Sequence, residues 1–302
     1  MAHLAGPHHR HRAPAWCPEE RRQVLPQQEE GAQRASGRKA RGTLIIAFIA
    51  ALIAVGGVVT DARPTEAGNQ KVVIVVGPSG VWTNDYLRQA RSLAHRARSY
   101  GANVISVKTP YATWERVKRA ARNADLFVYL GHGNGWPSPY APFQPYTKNG
   151  LGLNARAGSS SVKYWGEHYV QRGLRLAQGS VVLLIGACYS AGNTEGVAPT
   201  RSASVAFQRV DNYASGFLRT GARAVVANVL GDAGYLVRGL FTTNKSMREI
   251  FWSSPDARGT YSRSVPSRRS PDWARGIVDP FRKDYYYRSI MGDLDYRASA
   301  WR

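Results

Sequence analysis

The stretch "DLFVYLGHGNGW", residues 125–136, decides the fold. Leu126 to Leu130 form an apolar run without polar alternation, which suits a strand buried on both faces. Gly131, Gly133 and Gly135 then break it, and glycine lets a backbone turn tightly or approach another group closely. His132 is therefore expected in a turn just past the carboxyl end of a buried strand. Taken alone, it has four readings: metal ligand, phosphate-loop residue, catalytic base, or a hydrogen-bonded turn histidine.

Similar runs stand on either side. "KVVIVV" (71–76), "NVISV" (103–107), "SVVLLIGA" (180–187) and "ARAVVANVL" (222–230) read as further strands. Between them lie helical patterns. Residues 84–100 place Leu87, Ala90, Leu93, Ala94 and Ala97 on one face, and Thr113 is expected to cap a helix reaching Ala124. Residues 162–177, the segment from Ala203 to about Gly221, and 235–252 complete the set. Alternating apolar strands and helices predict an α/β chain: a three-layer α/β/α sandwich with a mostly parallel sheet over 69–253. The loop from Trp136 to Ser161 is long enough to suggest function. Residues 254–302, rich in arginine, serine, tyrosine and proline, are expected to wrap the domain as an irregular extension.

In open α/β sheets ligands gather at the carboxyl ends of the strands. His132 follows the third strand and Cys188 the fourth, and successive strands joined by a helix are often neighbours, about 4.8 Å apart. A thiol near an imidazole is the minimal apparatus for nucleophilic catalysis, the histidine moving the proton while the thiolate attacks a carbonyl. Backbone N–H groups at the two turns would suit an oxyanion hole. Other chemistry is poorly supported. His95 and His168 lack ligand spacing with His132, "GHGNG" lacks the Gly-Lys-Ser/Thr of a phosphate loop, and "VVGPSGVW" lacks dinucleotide-binding spacing.

"VYLGHGNG" and "VVLLIGACYSAGN" together resemble the paired blocks of the caspase-like cysteine peptidases, clan CD, which include caspases, legumain, gingipains, clostripain, separase and bacterial CHAT domains. "FLRTGARAVVANVLGDAG" resembles the CHAT-type segment after the nucleophile, and the likeness runs from about Lys71 to Trp252. It implies a caspase-hemoglobinase-like fold and an endopeptidase with Cys188 as nucleophile and His132 as general acid/base. The Gly133 and Cys188 N–H groups would form the oxyanion hole, with no metal or organic cofactor. Several relatives carry an acidic residue two positions before the cysteine to bind a basic P1 side chain. Here that position is Gly186, so basic specificity is not inherited. Asp232 offers a substitute, although a loop or cap role competes and is favoured. Trp136, with Trp82 and Trp165, is a candidate wall of the substrate groove.

Forty-one Lys and Arg against twenty Asp and Glu give a net charge of +21. That balance favours acidic partners such as an anionic envelope polymer or lipid headgroups. Nucleic acid is disfavoured, because no RNA-binding motif, zinc-finger spacing or basic heptad region occurs. With two cysteines, Cys17 and Cys188, a disulfide framework is excluded. Residues 1–42 read as a disordered basic leader. Arg34, Arg38, Lys39 and Arg41 precede "LIIAFIAALIAVGGVV" (44–59), the order of a signal peptide or short transmembrane anchor. As a helix that run spans ~24 Å, short of the ~30 Å hydrocarbon core. Thr65-Glu66-Ala67 supplies a small-x-Ala cleavage sequence. The expected location is extracytoplasmic, secreted or anchored through 43–60. The loop at 189–203 and Arg268-Arg269 look exposed enough for proteolytic nicking. The competing function is a non-catalytic, envelope-associated scaffold with the same fold.

Overall fold

The computed structural model describes residues 69–139, 142–195, 199–200 and 202–302. The leader, the 43–60 run and the cleavage sequence lie outside them.

Five parallel strands build one half of the sheet: Lys71–Val76 (β1), Asn103–Lys108 (β2), Leu126–Leu130 (β3), Ser180–Ile185 (β6) and Ala222–Asn228 (β7). β1 shows why the central strands are so apolar. Val73 and Val75 enter one core, while Val72, Ile74 and Val76 enter the other. Both faces are dry, so polar alternation would leave groups unsatisfied.

Leu151–Asn154 (β4) and Val162–Trp165 (β5) form a separate antiparallel pair inside the long loop, with Leu151 opposite Trp165. The 162–177 region is thus not one helix. It opens as a strand, and the helix is only Glu167–Gly173. The other helices are Thr83–Ser99 (α1), Trp114–Ala121 (α2), the Glu167 helix (α3), Ala203–Leu218 (α4), Gly234–Thr242 (α5), Met247–Trp252 (α6) and Ala298–Trp301 (α7). Thr113 occupies the N-cap of α2, but its side chain accepts no hydrogen bond there. The helix expected over 235–252 is two helices, because Ser246 and Glu249 form a capping box that starts α6 afresh.

The carboxyl-terminal fifty residues are not irregular. Arg263–Val265 (β8), Arg275–Pro280 (β9) and Tyr286–Gly292 (β10) extend the sheet antiparallel, giving the order β2-β1-β3-β6-β7-β10-β9-β8. Helices α2, α3 and α4 cover one face with the β4–β5 pair, and α1, α5, α6 and α7 cover the other. The architecture is α/β/α. Arg268-Arg269 is not a loose segment either. The buried Asp211 carboxylate of α4 accepts the N–H groups of Arg268 (2.8 Å), Arg269 (2.8 Å) and Ser270 (3.1 Å).

The expectation of a transmembrane segment is corrected: among the described residues no helix is long and apolar enough to cross a membrane. The 17-residue α1, for example, exposes Arg88, Arg91 and Arg98.

Candidate active site

β3 and β6 are adjacent and parallel, with Leu130 opposite Ile185, so the turns bearing His132 and Cys188 leave the same edge side by side. Gly131 N–H donates to Ile185 O at 3.2 Å, carrying the ladder one residue past the strands. The contact between the turns is then made by backbone. A Cβ on Gly133 would overlap the Cys188 carbonyl oxygen and lie 2.6 Å from the Cys188 nitrogen. Only glycine permits that approach. Among the described residues the Gly133 N–H has no hydrogen-bond acceptor.

The His132 turn is anchored from the β4 side. The Tyr129 hydroxyl lies 2.8 Å from the carbonyl oxygens of both His132 and Gly152, and it accepts the Gly152 N–H at 3.0 Å. Burial holds this phenol well above its ordinary pKa, so it stays a neutral donor. Gly152 N–H also donates to His132 O at 3.2 Å. His132 is half-buried, and that burial lowers its pKa, favouring the neutral imidazole that can accept a proton.

The Cys188 turn is sharper. Gly186, at φ +70°, has no room for a side chain, because its Cβ would overlap the Tyr86 hydroxyl. Tyr189 is left-handed at φ +71°, an uncommon conformation for a bulky residue that directs the chain abruptly away from Cys188. Ser190 N–H and Oγ donate to Ala187 O, at 3.3 and 2.6 Å, closing the turn. The Tyr189 ring lies under the Arg209 guanidinium at 5.0 Å, and its hydroxyl is 3.1 Å from Glu195 Oε1. Burial first, and then Glu195, push this phenol's pKa up. Cys188 itself is buried, only 2% exposed.

Three polar residues tie those loops together. Arg209 of α4 donates to Pro137 O (2.6 Å) and Asn193 O (3.0 Å), bridging the segments after His132 and after Cys188. Buried Lys148 donates to Asn134 Oδ1 at 2.9 Å and Ser138 Oγ at 3.1 Å. Burial lowers the pKa of both cations. Asn212 Nδ2 donates to Trp136 O at 2.9 Å. Sequence reading did not single out Arg209, Asn212 or Lys148. For Arg209 and Asn212 the signal was polarity on the buried side of α4; Lys148, in the loop before β4, carried none.

Trp136 is half-buried, with its ring 6.0 Å from that of Phe143 and its backbone N–H donating to Asn149 Oδ1 at 3.0 Å. Asp232 is taken up by its own loop, where Oδ1 accepts the Gly234 N–H at 2.9 Å at the start of α5. Among the described residues no three His, Cys, Asp or Glu side chains are arranged to hold a metal ion.

No protein-family model and no curated protein matches the sequence. Among solved structures, the chain is similar to a secreted C11 cysteine protease from Bacteroides thetaiotaomicron, described in complex with an irreversible peptide inhibitor: 10% identity, 70% of this chain and 66% of that one, TM-score 0.35. A second structure of that protease, "iotapain", gives 11% identity, the same coverage and a TM-score of 0.37. The chain thus spans just under two thirds of that protease's length. A flavodoxin from Streptococcus pneumoniae TIGR4 gives 13% identity, 50% and 77% coverage and a TM-score of 0.26. Likeness this low assigns no family to the chain.

Proposed function

We propose that the chain is an exported cysteine endopeptidase with a caspase-like fold, using Cys188 and His132. The observation that carries this reading is the backbone contact between Gly133 and Cys188 at the carboxyl edge of two adjacent central strands. It sets a thiol-bearing turn against a histidine-bearing turn with an open N–H between them.

In the proposed reaction, neutral His132 takes the Cys188 proton and the sulfur attacks the scissile carbonyl. The resulting oxyanion is held by the Gly133 and Cys188 N–H groups. The C–N bond then breaks, with the His132 proton passing to the leaving amine, and a thioester remains on Cys188. Water, deprotonated by His132, attacks the thioester, releasing the carboxylic acid and returning the proton to sulfur. Each step is redox-neutral. Trp136 is the proposed wall of the cleft, and Asp232 is the weaker candidate for a charged subsite. The cationic surface suits attachment to an anionic envelope polymer or lipid headgroups, and the signal-like run at 44–59 supports export.

A mixed peptide library read by mass spectrometry tests the proposal. Wild type should cleave with a defined P1 preference and Cys188→Ala should not. Equal cleavage by both proteins would remove the nucleophile from the account. The near-complete burial of Cys188 favours a second reading, a scaffold that keeps the fold without turnover. Absence of cleavage by wild type across the library, with the fold intact, would select it.

A further inference from the structure

β2 is the outer strand of the parallel half and, among the described residues, pairs only with β1. Asn103 N–H donates to Gln70 O at 3.0 Å and Thr109 N–H to Val76 O at 2.8 Å, so odd-numbered residues direct their backbone groups at β1. The even-numbered residues face outward. Val104 O accepts Arg98 Nη2 at 3.3 Å, and Lys108 O accepts the Tyr111 N–H at 2.9 Å. Between those two, the N–H and C=O of Ser106 have no hydrogen-bond partner among the described residues. This is an open strand edge with its middle rung unfilled.

Beside that edge, between β2 and α2, lies a groove of about 730 Å³. Its floor is apolar, made by Ile105 and Val107 with Ala120 of α2. Its rim is cationic: Lys71, Lys108, Arg116 and Arg119, with no carboxylate among the described lining residues. Lys71 Nζ is fixed by donating to Arg122 O at 2.6 Å, and Arg116 lies over the Tyr111 ring at 5.2 Å. Glu115, the acidic residue of α2, turns instead to Lys118, at 2.8 Å. The Tyr111 ring stands 51% exposed at the lip.

We propose that this groove docks an extended acidic polypeptide segment, which adds to β2 as a further strand. A free edge supplies main-chain hydrogen bonds, and alternate side chains of the guest would enter the groove. An apolar floor under a cationic rim fits a segment mixing aliphatic and carboxylate side chains. Lipid headgroups or a polyphosphate would meet the same cations, but they offer no backbone to Ser106. The site does not depend on Cys188 chemistry, so its test reads binding and is independent of cleavage.

The experiment uses the full chain carrying Cys188→Ala and a fluorescent octapeptide alternating glutamate with valine, followed by anisotropy. Saturable binding that weakens with salt is expected. It should fall at least tenfold in Lys108→Glu/Arg116→Glu, for the lysine–valine peptide, and in Ser106→Pro, which removes the outward N–H while leaving the β2 donors to β1 in place. N-methylating alternate amides of the peptide provides the same test without altering the protein. Any of three results overturns the proposal: no peptide binding, binding indifferent to both Ser106→Pro and N-methylation, or a groove that takes polyphosphate or phosphatidylglycerol vesicles but not the peptide.

Discussion

Two regions of the sheet keep polar chemistry in dry surroundings and use it differently. In the β9–β10 region, the Arg288 and Asp279 side chains form a buried ion pair. The Asp279 carboxylate also accepts the N–H groups of Arg258 (3.0 Å) and Gly259 (2.8 Å), while Arg288 donates to Phe251 O (2.6 Å). These charges are spent on holding β9, β10 and the segment after α6 together. At the β3–β6 edge, a buried thiol and a half-buried imidazole sit on glycine-bounded turns, and the fixing is done from beneath by Tyr129 and from the side by Arg209. What distinguishes the two is where the hydrogen-bonding capacity goes. In one region most of it is consumed within the fold, and in the other the backbone is braced while the Gly133 N–H has no acceptor among the described residues.

That contrast can be broken at several points. The largest effect is expected in the ion pair. Asp279→Ala leaves Arg288 charged and buried, which should cost roughly 3–5 kcal/mol of stability in urea unfolding. Replacing both partners with apolar residues should recover most of it. Next comes Gly133→Ala. Its Cβ would force the two turns apart, so kcat/KM should fall on the order of 100-fold while the urea midpoint moves far less than in Asp279→Ala. Tyr129→Phe removes the brace and leaves two carbonyls without their hydroxyl donor, for about 1–3 kcal/mol. It should also lower kcat more than it raises KM.

The smallest effect is the pH dependence. Burial depresses the His132 pKa, so as pH falls below 6.5 the unfolded chain takes up this proton before the folded one. Stability contributed by His132 is therefore complete above pH 6.5 and declines through the window below it. The acid limb of kcat/KM should lie in that same window. A limb centred above 6.5 would contradict the role of a half-buried neutral base.

Much of the parallel half was legible in the sequence, because strands buried on both faces must be continuously apolar, and "KVVIVV", "LFVYL" and "SVVLLI" are. The antiparallel half was hidden. "RGIVDP" and "YYRSIMG" carry Asp279 and Arg288, which read as surface residues until the ion pair that neutralises them is formed in three dimensions. "LGLN" and "VKYW" are too short to separate from loop or helix by periodicity. The break before α6 was readable as Ser246-x-x-Glu249, a capping box inside a helical run. At the site, adjacency of the His132 and Cys188 turns followed from strand order. Arg209 did not, since it acts on Pro137 72 residues away, and Tyr129 read only as strand core.

The central proposal is that His132 activates Cys188. The direct measurement is the rate of Cys188 modification by a peptidyl acyloxymethyl ketone, followed by intact mass at neutral pH in wild type and His132→Ala. The predicted result is a single adduct mapping to Cys188 in wild type, formed at least 100-fold more slowly without the imidazole. No adduct, or equal rates in the two proteins, would contradict it.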